Sequence, residues 1–177
     1  MFYFHMERTG CDNASSVRYH KTMQGCSRVV AIPVENGSDG LLLLLNENIP
    51  ENYDVYFNGW DRTNSISLSG VGIHHPGGDF KKISTYGNHL PSSTSWTNSD
   101  SNKEGAINAH WNIIFDETAN GHSVTEGGSS GSPVFNQNKL IIGTLSGGNS
   151  SCKKPDGINL YGKMFYHWDK YSQADTG

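Results

Sequence analysis

Residues 126–133 read EGGSSGSP, and the run opens directly onto the apolar stretch Pro133, Val134, Phe135. Small residues on both sides of Ser130 predict a sharp turn feeding a strand, with the hydroxyl clear of neighbouring side chains. A hydroxyl becomes a useful nucleophile when a base can take its proton and when backbone N–H groups meet the oxyanion that forms. Gly128 supplies backbone freedom for such a turn. Taken alone, such a string more often marks only a Gly/Ser turn between two strands, and the rest of the chain separates the two readings.

At 177 residues the chain is one ordinary domain, or one large and one incomplete domain, and is long enough to bury a core. Thirteen Lys and Arg against 17 Asp and Glu give a net charge of -4, which makes no electrostatic case for nucleic acid. The 21 glycines and a charged fraction of only 17% describe short strands joined by polar loops, an all-β and secreted type of composition. The longest uniformly apolar run, Leu41 to Leu45, falls far short of the roughly 20 residues needed to span a bilayer, so no membrane is implied and the run is expected to be a buried strand. The opening MFYFHMERTGC has no basic n-region and no long apolar h-region, so an export signal is not expected within this chain.

Strands are expected at the opening MFYF, at 28–34, 41–45, 54–60, 67–76, 107–115, 132–135, 139–145 and 160–168. Turn signals such as Asn36-Gly37, Gly77-Gly78, Asn120-Gly121 and Gly147-Gly148 separate them, a spacing that suits a barrel or sandwich. The Ser-, Thr- and Asn-rich stretch 87–105 reads as a long surface loop. Cys11, Cys26 and Cys152 cannot all pair with one another, and their spacing matches no zinc motif, so neither metal nor cofactor is implied.

Asp39 stands at the mouth of the leucine run, where an aspartate is commonly a turn residue or cap. With Ser130 it forms part of a longer pattern. SDGLLLLLN from 38, FNGWDR from 57, GIHHP from 72 with KKIS from 81, VTEGGSSGSPVF from 124, IGTLSGGNSSC from 142 and LYGK from 160 follow in order. In these strings the chain resembles the trypsin-like serine endopeptidases, and within them the bacterial lysyl endopeptidases, over nearly its whole length.

The resemblance implies two packed antiparallel β-barrels with the site between them. The first barrel is incomplete over about residues 1–50, the second complete over about 51–169, and 170–177 form a polar tail. Ser130 is implied as nucleophile and Asp39 as the carboxylate that orients a histidine, with the N–H groups of Gly128 and Ser130 as oxyanion hole. Leu145, Ser146 and Gly147 are implied as an edge strand that pairs with an extended polypeptide substrate. Cys11 and Cys152 match positions that the family bridges to cysteines in its N-terminal segment.

Two departures qualify that picture. The family's histidine precedes the aspartate in a segment of the first barrel that this chain lacks, so the chain is expected to begin inside that barrel, with the base upstream of Met1. His74 and His75 are adjacent on a strand and point to opposite faces, His122 is expected near the wall of the specificity pocket, and His5 is expected at the surface. None replaces the missing base, and loss of a triad member costs on the order of 10⁴ to 10⁶ in turnover, so the chain alone is expected to be nearly inert. The second departure is Asn159, which stands where the family carries the pocket aspartate that prefers lysine. An amide cannot neutralise a buried ammonium. Glu126 either favours a basic side chain by its charge or is bonded to loop backbone. The alternative to an endopeptidase is a non-catalytic relic that keeps the cleft and binds peptides.

Overall fold

The computed structural model describes residues 1–10, 12, 15–98 and 103–170. Its strands are β1 (Phe2–Phe4), β2 (Lys21–Met23), β3 (Cys26–Ile32), β4 (Gly40–Leu45), β5 (Gly70–His74), β6 (Lys82–Tyr86), β7 (Ser92–Thr94), β8 (Thr97–Asn98), β9 (Lys103–Glu104), β10 (His110–Ile113), β11 (Glu117–Thr118), β12 (Gly121–His122), β13 (Pro133–Asn136), β14 (Ile141–Gly148) and β15 (Asn159–Lys163). Helical structure among the described residues is limited to two 3₁₀ turns and one helical turn after β15.

Seven of these strands form one antiparallel sheet in the order β6-β5-β13-β14-β15-β10-β7. Its inner face carries Tyr86, Trp111, Ile113, Phe115, Val134, Ile142, Leu145 and Tyr161, all nearly sealed from solvent. Strand alternation drives this packing, because residues two apart share a face and the apolar ones can be buried together. Phe115 meets Tyr161 edge-on at 6.4 Å, and Trp111 Nε1 donates to the Ile142 carbonyl at 3.2 Å. The sheet curls until the chain beyond β10 returns to β6, where the Asp116 N–H donates to the Thr85 carbonyl at 2.7 Å. No ladder joins β6 to β7, so the sheet is strongly curved without closing into a hydrogen-bonded barrel among the described residues.

The N-terminal quarter is different in kind. β1 pairs only with β2, and β3 only with β4. The leucine run forms the expected strand, but it is not buried: Leu41, Leu42 and Leu44 are each more than half exposed. Successive leucines point to opposite faces of a two-stranded ribbon, and only one face is partly covered, by Trp60, His167 and Trp168 across a cleft, so apolar composition alone does not bury them.

Three further expectations are corrected. Residues 54–60 make only an isolated bridge from Trp60 to Ile141, because Asp54 turns in the left-handed region with φ 52 and Tyr56 and Phe57 face outward. The stretch 87–105 is not a plain loop: β7 adds to the main sheet beside β10, and β8 pairs with β9. The last expected strand stops at Lys163 and gives way to a helical turn over Tyr166–Lys170. The tail 171–177 lies outside the described residues.

Candidate active site

The turn at 126–132 is tied down on every side except one. Ser129 N–H donates to Glu126 O at 2.9 Å, Gly131 N–H to Leu145 O at 2.8 Å, and Ser132 N–H to Ser129 O at 3.1 Å. The amides of Gly127, Gly128 and Ser130 donate to no backbone acceptor among the described residues. Gly128 adopts φ 98, and a Cβ there would come within 3.0 Å of Gly78 N and His75 O, so both its conformation and its surroundings require glycine. The Ser130 side chain is exposed, whereas the preceding Ser129 is sealed at 1% exposure.

Asp39 lies immediately before β4 with φ 58, and its N–H donates to Pro33 O at 3.2 Å. Its carboxylate is exposed, and the neighbouring Ser38 anchors the segment. Ser38 is fully buried; its Oγ hydrogen-bonds His167 Nδ1 at 2.8 Å, and its carbonyl rests against Gly162, where a Cβ would approach to 2.0 Å. Gly162 of β15 is the register partner of Thr144 on β14. The turn of Ser130 meets β14 at Leu145, so the two turns dock at successive residues of one strand neighbourhood.

β13 ends its pairing with β14 at Thr144, and Leu145 is closed by N–H donation to Ser132 O at 2.9 Å. Beyond it Gly147 pairs with Leu160 of β15 and Ser146 forms the bulge between Leu145 and Gly147, with no strand on the other side among the described residues. That leaves a short free edge where a third strand can add. Trp96 stands beside it, its indole nitrogen 3.6 Å from where a Cβ on Gly147 would lie.

Asn159 is fully buried and its amide is completely engaged. Its Oδ1 accepts from Thr125 Oγ1 at 2.6 Å and Ser150 Oγ at 2.7 Å, while Nδ2 donates to Ile113 O at 3.1 Å and Gly157 O at 3.4 Å. The expected pocket residue is thus locked within its own loops. The Glu126 carboxylate is exposed, its Oε2 being 3.4 Å from the place of a Cβ on Gly77.

Each of the eight histidines has a partner other than Ser130 or Asp39. His5 bonds Tyr53 O, His20 stacks on Tyr19, and His75 bonds Asp79 O at 2.9 Å. His89 and His122 pair with Asp116 at 4.0 Å and Glu117 at 3.5 Å, the latter on the exposed β11–β12 hairpin. His74 Nδ1 bonds Ser129 Oγ at 2.9 Å and its Nε2 bonds Ser84 Oγ at 2.8 Å. His110 Nε2 bonds Ser146 Oγ at 3.1 Å, and His167 bridges Ser38 to Thr144, the second bond being 3.1 Å. Burial holds the pKa of His110 and of His167 down to about 4, His110 being lowered further by the charges of His167 and Lys163. His74 is also lowered, chiefly by burial.

Sequence reasoning set His74 aside from catalysis without finding its bond to Ser129, and it gave His110 and Trp96 no place at the site. The first two are separated in sequence from the serines they bond, and no local motif announces such a pair.

Two clefts are formed away from the nucleophile turn. One of about 1150 Å³ lies between the β1–β2 hairpin and β5, lined by Phe4, His75 and Tyr86 among others. The other, about 480 Å³, is walled by Ile32, Leu42, Trp60, His167 and Trp168 and reaches Gly40, next to Asp39. Ser130 and Asp39 line neither. Cys26 and Cys152 are exposed free thiols; Cys11 lies outside the described residues.

Comparison with known proteins gives a family and a fold. The model of the lysyl endopeptidase C-terminal domain matches residues 1–162. Two crystal structures of Rv3671c are similar. One is of the M. tuberculosis H37Rv protein as a serine-to-alanine mutant in its inactive form, at TM-score 0.53 and 11% identity over 84% of this chain and 63% of that one. The other, the Rv3671c protease in its inactive form, gives TM-score 0.53 and 12% identity over 84% of this chain and 65% of that one. The chain therefore spans under two thirds of the length of those proteins, and it shares with them the trypsin-like protease fold. With the family model matched over nearly its entire length, the chain belongs to the lysyl endopeptidase C-terminal domain family.

Proposed function

We propose that the chain is the greater part of a secreted serine endopeptidase, with residues 1–50 contributing to a first β-barrel and 51–169 forming the second. Ser130 attacks the peptide carbonyl, and the N–H groups of Gly128 and Ser130 stabilise the oxyanion, each such donor being worth about 10²- to 10³-fold in turnover. Asp39 orients a histidine supplied by a segment outside this chain, and that imidazole takes the Ser130 proton and later returns it to the leaving amine. An extended polypeptide pairs with Ser146 and Gly147 at the free edge beyond Leu145. Cys152, and Cys11 with it, bridge to cysteines in the same outside segment.

One observation carries this reading. In the 126–132 turn the amides of Ser129, Gly131 and Ser132 are engaged by backbone acceptors, whereas those of Gly127, Gly128 and Ser130 are not, and the last two are the pair implied as oxyanion hole.

The preference at the cut follows from what surrounds the pocket. Asn159 has no spare hydrogen bond and no charge, so Glu126, the acidic group that the resemblance puts beside the pocket, is the one that favours a basic side chain. We therefore assign a preference for basic residues weaker than strict lysine cleavage.

A fluorophosphonate probe tests the assignment: in the protein with its upstream segment restored, the label is expected on Ser130 and is lost in Ser130→Ala. Absence of labelling with retained binding of extended peptides would favour the non-catalytic alternative. That alternative is supported by the fact that no imidazole among the described residues bonds Ser130.

A further inference from the structure

His74 and the turn of Ser130 come from segments 55 residues apart. His74 ends β5 facing inward, 2% exposed, with its ring parallel to that of Phe115 at 6.5 Å. Its Nδ1 reaches Ser129 Oγ at 2.9 Å, and its Nε2 reaches Ser84 Oγ on β6 at 2.8 Å. Ser129 is the residue immediately before the nucleophile, and its Oγ also accepts from the Glu126 N–H at 3.4 Å. The chain just after His74 makes a second attachment, with Gly77 N–H donating to Gly127 O at 2.9 Å. A third is steric: Gly128 packs directly on His75 O and Gly78 N.

We infer that His74 is a positioning residue for the reaction: through Ser129 it clamps the 126–132 turn to β5 and β6 and so fixes the aim of the Ser130 hydroxyl and of the Gly128 and Ser130 amides. The inference rests on Ser130 being the nucleophile. The chemistry suits the task. A neutral imidazole has one nitrogen that donates and one that accepts, and serine hydroxyls at both ends can take either complementary role. With both nitrogens engaged and the ring stacked on Phe115, the imidazole has no second rotamer that keeps its partners. Ser129 is then held within one residue of the reacting atom by the sheet itself rather than by the loop. A site placed on rigid elements in this way keeps its geometry better than one left to a loop. His75, one residue on, points outward to Asp79 O and lines the large cleft, so it takes no part.

Amide hydrogen exchange on the full 177-residue chain tests this, with core amides of β10 and β15 as an internal reference for global stability. In His74→Phe, which keeps a ring over Phe115 but loses both hydrogen bonds, the amides of Ser129, Gly131 and Ser132 are expected to lose about fivefold or more in protection relative to the core. Ser129→Ala removes the other end of the bond and is expected to do the same. His74→Asn, which puts an amide atom near the place of Nδ1, is expected to restore most of the loss. Turn amides that keep their protection in both variants, or that change only in step with the core, overturn the inference. Should His74→Phe fail to fold, Ser129→Ala decides the matter by the same comparison. The readout does not require Ser130 to react, so a failure here and a failure of fluorophosphonate labelling are distinguishable.

Discussion

Ser38 Oγ and His167 Nδ1 are 2.8 Å apart, a hydrogen bond between residues 129 positions apart that joins the turn carrying Asp39 to the helical turn after β15. Through it, and through the Ser38 carbonyl lying on Gly162, the candidate acid is referenced to the main sheet although β4 itself pairs only with β3. Asp39 is thus held by its neighbours' contacts, while its own carboxylate remains exposed.

Gly162→Ala should loosen this joint. Its methyl would come 2.0 Å from the Ser38 carbonyl and 2.9 Å from the His167 ring, so one side must move. We expect a loss of about 1–3 kcal/mol, as for other overpacked sites, read as a lower urea midpoint at unchanged slope. An unchanged midpoint would show that the two segments do not depend on this contact.

Acid should destabilise the fold over a defined window. His110 is buried and His167 half-buried, with pKa values of about 4, against about 6.5 when unfolded. Their folded values are depressed, so the unfolded state binds protons first. Stability is therefore fully present above about pH 6.5 and falls as pH drops toward 4, by at most about 3 kcal/mol for each imidazole. Urea midpoints measured between pH 7 and pH 4 should fall steadily; a flat profile would mean that one or both rings remain solvated.

Asn159→Asp, the simplest way to place a charge at the expected pocket position, should fail as a specificity change. The new oxygen would face the carbonyls of Ile113 and Gly157, now 3.1 and 3.4 Å from Nδ2. A buried acceptor turned on two acceptors costs about 1–3 kcal/mol or more. The measurement is the denaturation midpoint of Asn159→Asp beside wild type at neutral pH, and equal stability would contradict the hydrogen-bond assignment.

The β3–β4 ribbon should govern solution behaviour. Leu42 and Leu44 are 57% and 64% exposed on an unpaired ribbon, a combination that invites strand pairing between molecules. The isolated chain is expected to self-associate in light scattering, and Leu42→Thr with Leu44→Thr to reduce this while changing stability by no more than about 0.5 kcal/mol. A wild-type chain that stays monodisperse would remove the basis for this expectation.

Much of the strand content was legible, because alternation and turn residues are local signals: β3, β10, β13 and β14 fall within or beside runs read from residue type alone. β6 was not read as a strand, since KISTY shows no long apolar stretch and is set by its ladder with β5. Residues 54–60 misled in the opposite direction, their aromatic content suiting a strand where the fold provides only a single bridge.

The histidines show where sequence reading stops. His74 and His75 were separable by strand alternation alone, and they do face opposite ways. That His74 bonds Ser129, or that His110 bonds Ser146, depends on which strands become neighbours.

By itself the order of residues determined the all-β character of this chain and the turn at 126–133, because strand period and glycine freedom act over a few adjacent residues. Only the tertiary structure decided that Asn159 is enclosed by four hydrogen bonds, that the leucine run stands largely exposed, and that the turns of Ser130 and Asp39 both dock beside β14. Those outcomes are settled by contacts between distant segments, whose energies depend on what the assembled sheet places opposite each side chain.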